Sequence, residues 1–433
     1  LLPTEELTRA LGWLDAHRDM ESVGPSAGPP DLGAVTALAD ALGDPQRAYP
    51  VVHVTGTNGK GSTTRVLSAL LAVMGLSVGT YTSPDLGRVN ERLARNGVPV
   101  GDEDLTELLR RLGPLEQSVG VSASRFELLT VAAFTWFADL AVDVAVVEVG
   151  MGGDTDATNI VQAAVAVVTN VALDHTELLG PTVADIAGHK AGIVKPGSTL
   201  VLGETDEALA EVFLRAPAAR AYRRGPDFGA RANLPAVGGR LLDLYTPASS
   251  YDQLFLSLLG RHQGDNAAIA LAAAEAFFDA PLPASLVEVA LGGVTSPGRM
   301  EVASRHPLCL LDGAHNAAAA AALGSSLDEE IGDRPRRIVV MGVLAERDPG
   351  QLLDALGTAA VSLVIGCTPA SPRGLPGSAV AEAASRRGLS AVSVGSAADA
   401  VTLALAHAGE EAVVVVTGSL YVVGEARAAL GVG

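Results

Sequence analysis

The sequence predicts an α/β fold: a P-loop NTPase-like N-terminal domain on a parallel sheet, followed by a smaller Rossmann-like α/β C-terminal domain. Three observations carry that prediction. The β-branched run Val51–Val54 leads into the glycine-rich stretch GTNGKGS and then into a helical pattern. The runs VDVAVVEVG (142–150) and AVAVVTNVALDH (164–175) are continuously apolar, as strands buried on both faces of a parallel sheet are. After SPGRM (296–300) a second series, LCLLDGAH, RRIVVMGVL, AVSLVIGC and EAVVVVTGS, again alternates with helical segments. The expected domains are therefore 1–297 and 298–433, since 433 residues exceed what one core usually covers.

Taken in order, residues 1–50 read as mostly helical, with a Gly/Pro/Ser loop at 24–33 expected to be mobile. The stretch 56–62 follows the first strand. Its glycines let backbone N–H groups turn toward a phosphate, and the helix that begins near Ser62 adds a partial positive charge. Lys60 can reach phosphate oxygens, and Ser62 can offer a hydroxyl to Mg²⁺. Val54 stands where the strict Walker spacing wants glycine, so this is a variant P-loop. LSVGTYTSP (76–84) reads as a second strand, and 102–140 alternates in helical fashion. Thr55, Ser83, Glu148 and His175 all fall at or just beyond strand ends, where open α/β sheets bind ligands. The region 198–258 holds VLGETDEALAEVF, an arginine-rich bend at 220–231 and a hairpin at GGRLLDLYTP.

Composition narrows the chemistry. The formal net charge is −19, which argues against nucleic acid or an anionic membrane as partner. Two cysteines cannot build a disulfide framework, no leader pattern is seen, and no apolar run reaches a membrane span of about 18 residues. A cytoplasmic location is expected. Of 30 basic residues only Lys60, Lys190 and Lys195 are lysine. A chain that has nearly dispensed with lysine keeps it where a compact charge or a reactive amine is needed. Lys190 opens a short apolar stretch in HKAGIVKPG, where a lysine is paired, desolvated or modified. EVGMGGDTDATN (148–159) and LDHTELLG (173–180) bring carboxylates and His175 to strand ends; a hard Mg²⁺ needs few such ligands. GRHQGDNAA and LLDGAHNAAA each place His and Asn at a loop-to-helix junction, with Asp312 and His315 on the second domain's active face.

The collinear order GTNGKGS, TSP with NERL, EVGMGGDTDATN, LDHTELLG, HKAGIVKPG, GRHQGDNAA, SPGRMEV, LDGAHN and TGSLYVVGE resembles folylpolyglutamate synthase, a Mur-ligase relative that adds glutamate to folates with ATP. The resemblance implies ATP contacts from Gly56, Thr57, Asn58, Gly59, Lys60, Gly61 and Ser62, and from Asn266, Arg299 and Asp312. It implies Mg²⁺ ligation by Ser83, Glu148 and His175. It further implies a carbamylated Lys190, whose carboxylate would hold a second Mg²⁺ and which arginine could not replace. His315 and Ser419 would meet the incoming glutamate, and Lys60, Lys190, Asp312 and His315 would form the catalytic set. A monovalent cation is left open, and a monomer working on folate, L-glutamate and ATP is expected.

Asp154, where many members have arginine, together with NERL and SPRGLP, resembles the monofunctional synthases. Asp85 in place of histidine, Ala317 in place of proline and Glu346–Arg347 in place of Asp–Lys depart from the family pattern. The rival readings are a bifunctional enzyme that also uses dihydropteroate, a related ligase for another acid, a P-loop kinase, and a nucleotide-binding regulator.

Overall fold

The computed structural model describes residues 4–19, 31–331, 336–409 and 412–432; residues 24–30 of the Gly/Pro/Ser loop lie outside the described residues. The chain divides into two compact units. One comprises Leu1–Ala232, Leu242–Phe255 and Asp265–Val294; the other comprises Asn233–Leu241, Leu256–Gly264 and Thr295–Gly433.

The first unit is built on eight strands: β1 (Val51–Thr55), β2 (Val78–Tyr81), β3 (Leu93–Arg95), β4 (Val98–Pro99), β5 (Val144–Glu148), β6 (Ala163–Val168), β7 (Thr199–Leu202) and β8 (Arg220–Arg223). Their order is β4-β3-β2-β5-β1-β6-β7-β8. From β2 through β8 every neighbouring pair is parallel, and only β3 and β4 run antiparallel at one edge. All five residues of β1 and of β5 are buried, which explains their valine-rich composition, with His53 and Glu148 the polar exceptions besides Thr55. β1 lies between β5 and β6, so the loops leaving these three strands converge on one crevice at the carboxyl edge.

Helices cover both faces. On one, Glu5–Asp15, Gly33–Ala41, Asp102–Val119 and Arg125–Asp139 bury Leu7, Leu38, Leu109, Phe134 and Phe137 against Val51, Tyr81 and Val147. Each such fully buried side chain contributes roughly 1.5–3 kcal/mol. Ser124 and Glu127 start the last of these helices with a reciprocal capping box. Farther along the same face, where Ala166 stands in register with His53 and Val147, Val183–Ala191 and Glu207–Leu214 cover β6 and β7 through Ala187, Ile193, Ala210 and Phe213, while Lys60–Val73 packs on the opposite face.

The expected arginine-rich bend is in part a strand. Arg220–Arg223 pairs parallel with β7 as the sheet edge. Its arginines are accommodated because an edge leaves their heads in solvent, where Arg220 meets Asp279 and Arg223 meets Glu207. Residues 229–256 form a small sheet of three strands, β9 (Gly229–Ala236), β10 (Gly239–Tyr245) and β11 (Ser250–Leu256), ordered β11-β10-β9.

The second unit holds a six-stranded sheet of β12 (Glu301–Arg305), β13 (Leu308–Leu311), β14 (Arg337–Met341), β15 (Val361–Gly366), β16 (Ala391–Ser393) and β17 (Val413–Thr417), ordered β12-β13-β17-β14-β15-β16. All its pairs are parallel except β12 with β13. This is the Rossmann-like arrangement expected from its four apolar runs. Arg240, wholly buried, is what joins the segments Asn233–Leu241 and Leu256–Gly264 to this unit. Its guanidinium bonds Glu330 and Glu329 on the helix Ala317–Ile331 and both the side chain and the carbonyl of Asn233, while Glu330 accepts the Gly260 N–H at 3.1 Å. Glu330→Ala would strand a buried guanidinium. It should destabilise the unit by about 3–5 kcal/mol in urea titration, with most of the loss recovered when Arg240→Met is added. A loss below about 1 kcal/mol would mean that water or another acid already pairs Arg240.

Candidate active site

The phosphate loop is tied down by backbone and by the segment after β6. The Thr57 N–H donates to the Asn170 carbonyl at 2.9 Å, and the Asn58 N–H to Asn170 Oδ1 at 3.0 Å. Thr169 Oγ1 and Asn170 Nδ2 both donate to the Asn58 carbonyl. Thr55 Oγ1 reaches the Gly152 carbonyl at 2.8 Å, joining the ends of β1 and β5. Gly59 has φ +84°, and a Cβ there would stand 2.5 Å from Asn266 Oδ1, so the position admits only glycine and brings Asn266 to the loop. The helix Lys60–Val73 begins here with Ser62 buried in its first turn.

Two lysines meet at one oxygen. Lys60 Nζ donates to the Gly56 carbonyl at 3.1 Å, and Lys190 Nζ donates to the same carbonyl at 3.0 Å. Lys190 is buried near the end of the helix Val183–Ala191. Burial, and after it the charge of Lys60, pull its amine down to about 7, against the opposing pull of Asp174 and Asp156. Asp156 is itself buried and accepts from the N–H groups of Met151 and Thr158 and from Thr158 Oγ1. Burial raises its carboxyl, and those hydrogen bonds hold it back. His53 in β1 bonds Thr158 Oγ1 through Nε2 at 2.8 Å; burial, with Lys195 adding to it, lowers its ring to about 3, so it is a neutral core histidine.

Glu148, at the end of β5, is 4% exposed. It accepts from the Ser83 N–H at 3.4 Å and lies beside Gly61, whose Cβ would stand 3.5 Å from Oε2. Ser83, Glu148 and the phosphate loop are thus one neighbourhood. His175 caps the short helix Thr176–Leu179 at φ 50°, half-exposed, with Nε2 3.8 Å from Asp174. Among the described residues no trio of His, Cys, Asp or Glu stands close enough to hold a metal by itself. A serine, one carboxylate, one imidazole and phosphate oxygens suit Mg²⁺ better than such a trio. The departure Asp85 forms a salt bridge at 2.5 Å with the buried Arg92. Burial pushes the Asp85 carboxyl up, but Arg92 outweighs it and leaves it below its usual range.

The second unit gathers its own cluster. Asp312 follows β13 and accepts the Met300 N–H and the Ala314 N–H, each at 2.9 Å, while the Gly313 N–H donates to the Gly298 carbonyl. These bonds clamp SPGRM to DGAHN and set Arg299 against Gly313, 2.6 Å from where a Cβ would stand. His315 Nδ1 is 2.9 Å from the Gly313 carbonyl. Ser419 caps the helix Leu420–Leu430 by accepting from the Val422 N–H, and the Gly418 N–H bonds the Ala314 carbonyl. Asp312, His315 and Ser419 therefore share one strand-end region of this unit.

Two family profiles match the chain: "Mur ligase middle domain" over residues 105–274 and "Mur ligase, glutamate ligase domain" over 298–420. A Mycobacterium tuberculosis dihydrofolate synthase/folylpolyglutamate synthase is 40% identical over 380 residues, 82% of this chain and 77% of the relative. The chain belongs to the folylpolyglutamate synthase family of Mur ligases. A solved folylpolyglutamate synthase from M. tuberculosis, complexed with ADP and AMPPCP, superposes with a TM-score of 0.90 at 36% identity, over 98% of each chain. A bifunctional folylpolyglutamate synthase/dihydrofolate synthase solved with Mn, AMPPNP and L-glutamate superposes at 0.85 with 30% identity, over 99% of this chain and 98% of the other.

Within this folylpolyglutamate synthase family member, sequence reasoning passed over Thr169, Asn170 and Asp156. The signal was available for the first two: Thr-Asn directly after a buried valine run has no place in a core unless it is bonded to something.

Proposed function

We propose that the chain is an ATP-dependent ligase that joins L-glutamate to the terminal γ-carboxylate of a folate through an acyl phosphate. The observation that carries this reading is the pair Lys60 and Lys190 on the Gly56 carbonyl of a phosphate loop, in a chain with three lysines. Bound Mg²⁺, held by Ser83, Glu148 and His175 with carbamylated Lys190 holding a second ion, would neutralise phosphate oxygens. Residues 56–62 and Asn266 bind the triphosphate, and Lys60 stabilises the charge of the transferring phosphoryl group. The folate carboxylate takes that group and ADP leaves. The glutamate amine then attacks the acyl carbon, the carbon–oxygen bond to phosphate breaks, and the amine proton passes to solvent as the amide forms. His315 and Ser419 hold the glutamate. Asp312 orders the loops that carry Arg299 and His315, and the lone pairs its two amide partners leave are assigned to the nucleotide.

Lys190 suits carbamylation because the neutral amine is the form that attacks carbon dioxide. An ordinary lysine near 10.4 is almost wholly protonated at neutral pH, whereas one near 7 is about half neutral. The carbamate also exchanges repulsion of Lys60 for attraction. We place the enzyme in the cytoplasm as a monomer; no helix among the described residues is long and apolar enough to cross a membrane. The test is ADP release with ATP alone, with a folate, with glutamate and with both. Turnover is expected only with both, and turnover indifferent to glutamate would leave a kinase or simple ATPase.

The 40% identical relative favours a second reading, in which dihydropteroate is also accepted. Asp154 argues the other way: where an arginine could bond an anionic substrate, this position carries a carboxylate, itself hydrogen-bonded to His189. We expect kcat/KM for tetrahydrofolate to exceed that for dihydropteroate by about ten- to a hundredfold, the worth of one charge-assisted hydrogen bond. Equal values would make the enzyme bifunctional and leave the ligase chemistry standing.

A further inference from the structure

The loop that leaves β5 and the last turn of the helix Val183–Ala191 are moulded to each other through their backbones. The Asp154 N–H donates to the His189 carbonyl at 2.9 Å. A Cβ on Gly153 would stand 2.6 Å from that same oxygen and 3.0 Å from Lys190 Cα, and a Cβ on Gly192 would stand 2.4 Å from Asp154 Cβ. Asn159 Nδ2 reaches the carbonyls of Asp154 and Gly192 at 2.9 and 3.4 Å. Over this contact lies one side-chain bond: His189 Nδ1 and Asp154 Oδ1 are 2.8 Å apart, and the same oxygen accepts the Thr155 N–H at 2.9 Å. A carboxylate can only accept, so His189 donates from Nδ1.

This places the device one residue from Lys190, whose Nζ has a single geometry at the Gly56 carbonyl. A turn of the helix about its axis would carry that nitrogen out of the phosphate loop. The glycines permit the close approach, the backbone bond from Asp154 to His189 sets the register, and the side-chain bond between the same two residues holds it. We infer that Asp154 is a positioning residue, which with His189 fixes the last turn of this helix so that the terminal group of Lys190 meets the phosphate loop. The inference rests on the reading of Lys190 as a working residue of the ligase.

Three lysines make the test tractable, because lysine labelled with carbon-13 at Cε yields three resonances, assigned by Lys190→Arg and Lys195→Arg. In Asp154→Ala and in His189→Ala the Lys190 resonance should move while that of Lys60 holds, and the double variant should move it no further than either alone. With labelled bicarbonate, half-occupancy of the Lys190 carbamate should need about two- to fivefold more bicarbonate, as suits the loss of one partly exposed hydrogen bond. Asp154→Asn, which keeps the shape and the acceptor for Thr155, should shift both readouts less and serves if Asp154→Ala does not fold. An unmoved Lys190 resonance with unchanged bicarbonate dependence in a folded Asp154 variant overturns the inference. Absence of any carbamate signal in the parent enzyme would reject the carbamate instead, and the Cε comparison would still judge the positioning.

Discussion

Lys60→Ala is expected to lower folate-dependent ADP formation by about 10²-fold or more, with the thermal transition little changed. The reason is local. Lys60 contacts only the carbonyls of Gly56 and Thr57 among its described hydrogen bonds, so its removal breaks no core contact while it deletes the charge facing the phosphate loop. The loss should fall on kcat more than on the KM for ATP, because the loop amides still hold the nucleotide. Turnover within a few-fold of the parent would reject the phosphate-loop assignment.

Lys190→Arg is expected to be as damaging as Lys190→Ala, again about 10²-fold or more, because a guanidinium keeps the charge but cannot become a carbamate. Added short-chain carboxylate should restore part of the activity of the alanine variant and none in the arginine variant, where the space is filled. The amine also sets a pH dependence. Its folded value, about 7, lies below the ordinary unfolded value near 10.4, so between these the unfolded chain binds the extra proton. Stability of the unmodified protein from this group therefore rises with pH across that window and is flat below it. Lys190→Met should abolish the rise, as measured by denaturant titration at pH 7 and pH 9 without bicarbonate. At limiting bicarbonate, activity should fall as pH drops through 7, and added bicarbonate should move that fall to lower pH.

How far such a site can be read in advance depends on the distance over which its bonds act. β1, β5 and β6 announce themselves because both their faces are buried, and the loop between β1 and its helix carries its chemistry within seven residues. Lys190 stood out through the scarcity of lysine and its place at the head of an apolar stretch. The edge strands β4, β12 and β16 and the short β3 beside β4, of two to five residues, show no such pattern, since they are partly solvated and polar residues serve there. Arg220–Arg223 was read as a bend for the same reason. Pairings across long stretches were invisible: Arg240 with Glu330, 90 residues apart, and Asp154 with His189, 35 apart, follow from the way helices dock and not from any local spacing. Asp312 was expected on the active face of the second unit from its strand-end position; that its two oxygens each accept a backbone amide only the tertiary structure could reveal.

The central claim is that ATP activates the folate carboxylate by phosphorylating it. The most direct measurement uses a folate whose γ-carboxylate carries oxygen-18, turned over with ATP and glutamate, with the released phosphate analysed by mass spectrometry. An acyl phosphate transfers one carboxylate oxygen to phosphate, so the label should appear there in step with the polyglutamylated product. Phosphate free of the label, with product still forming, would contradict the account.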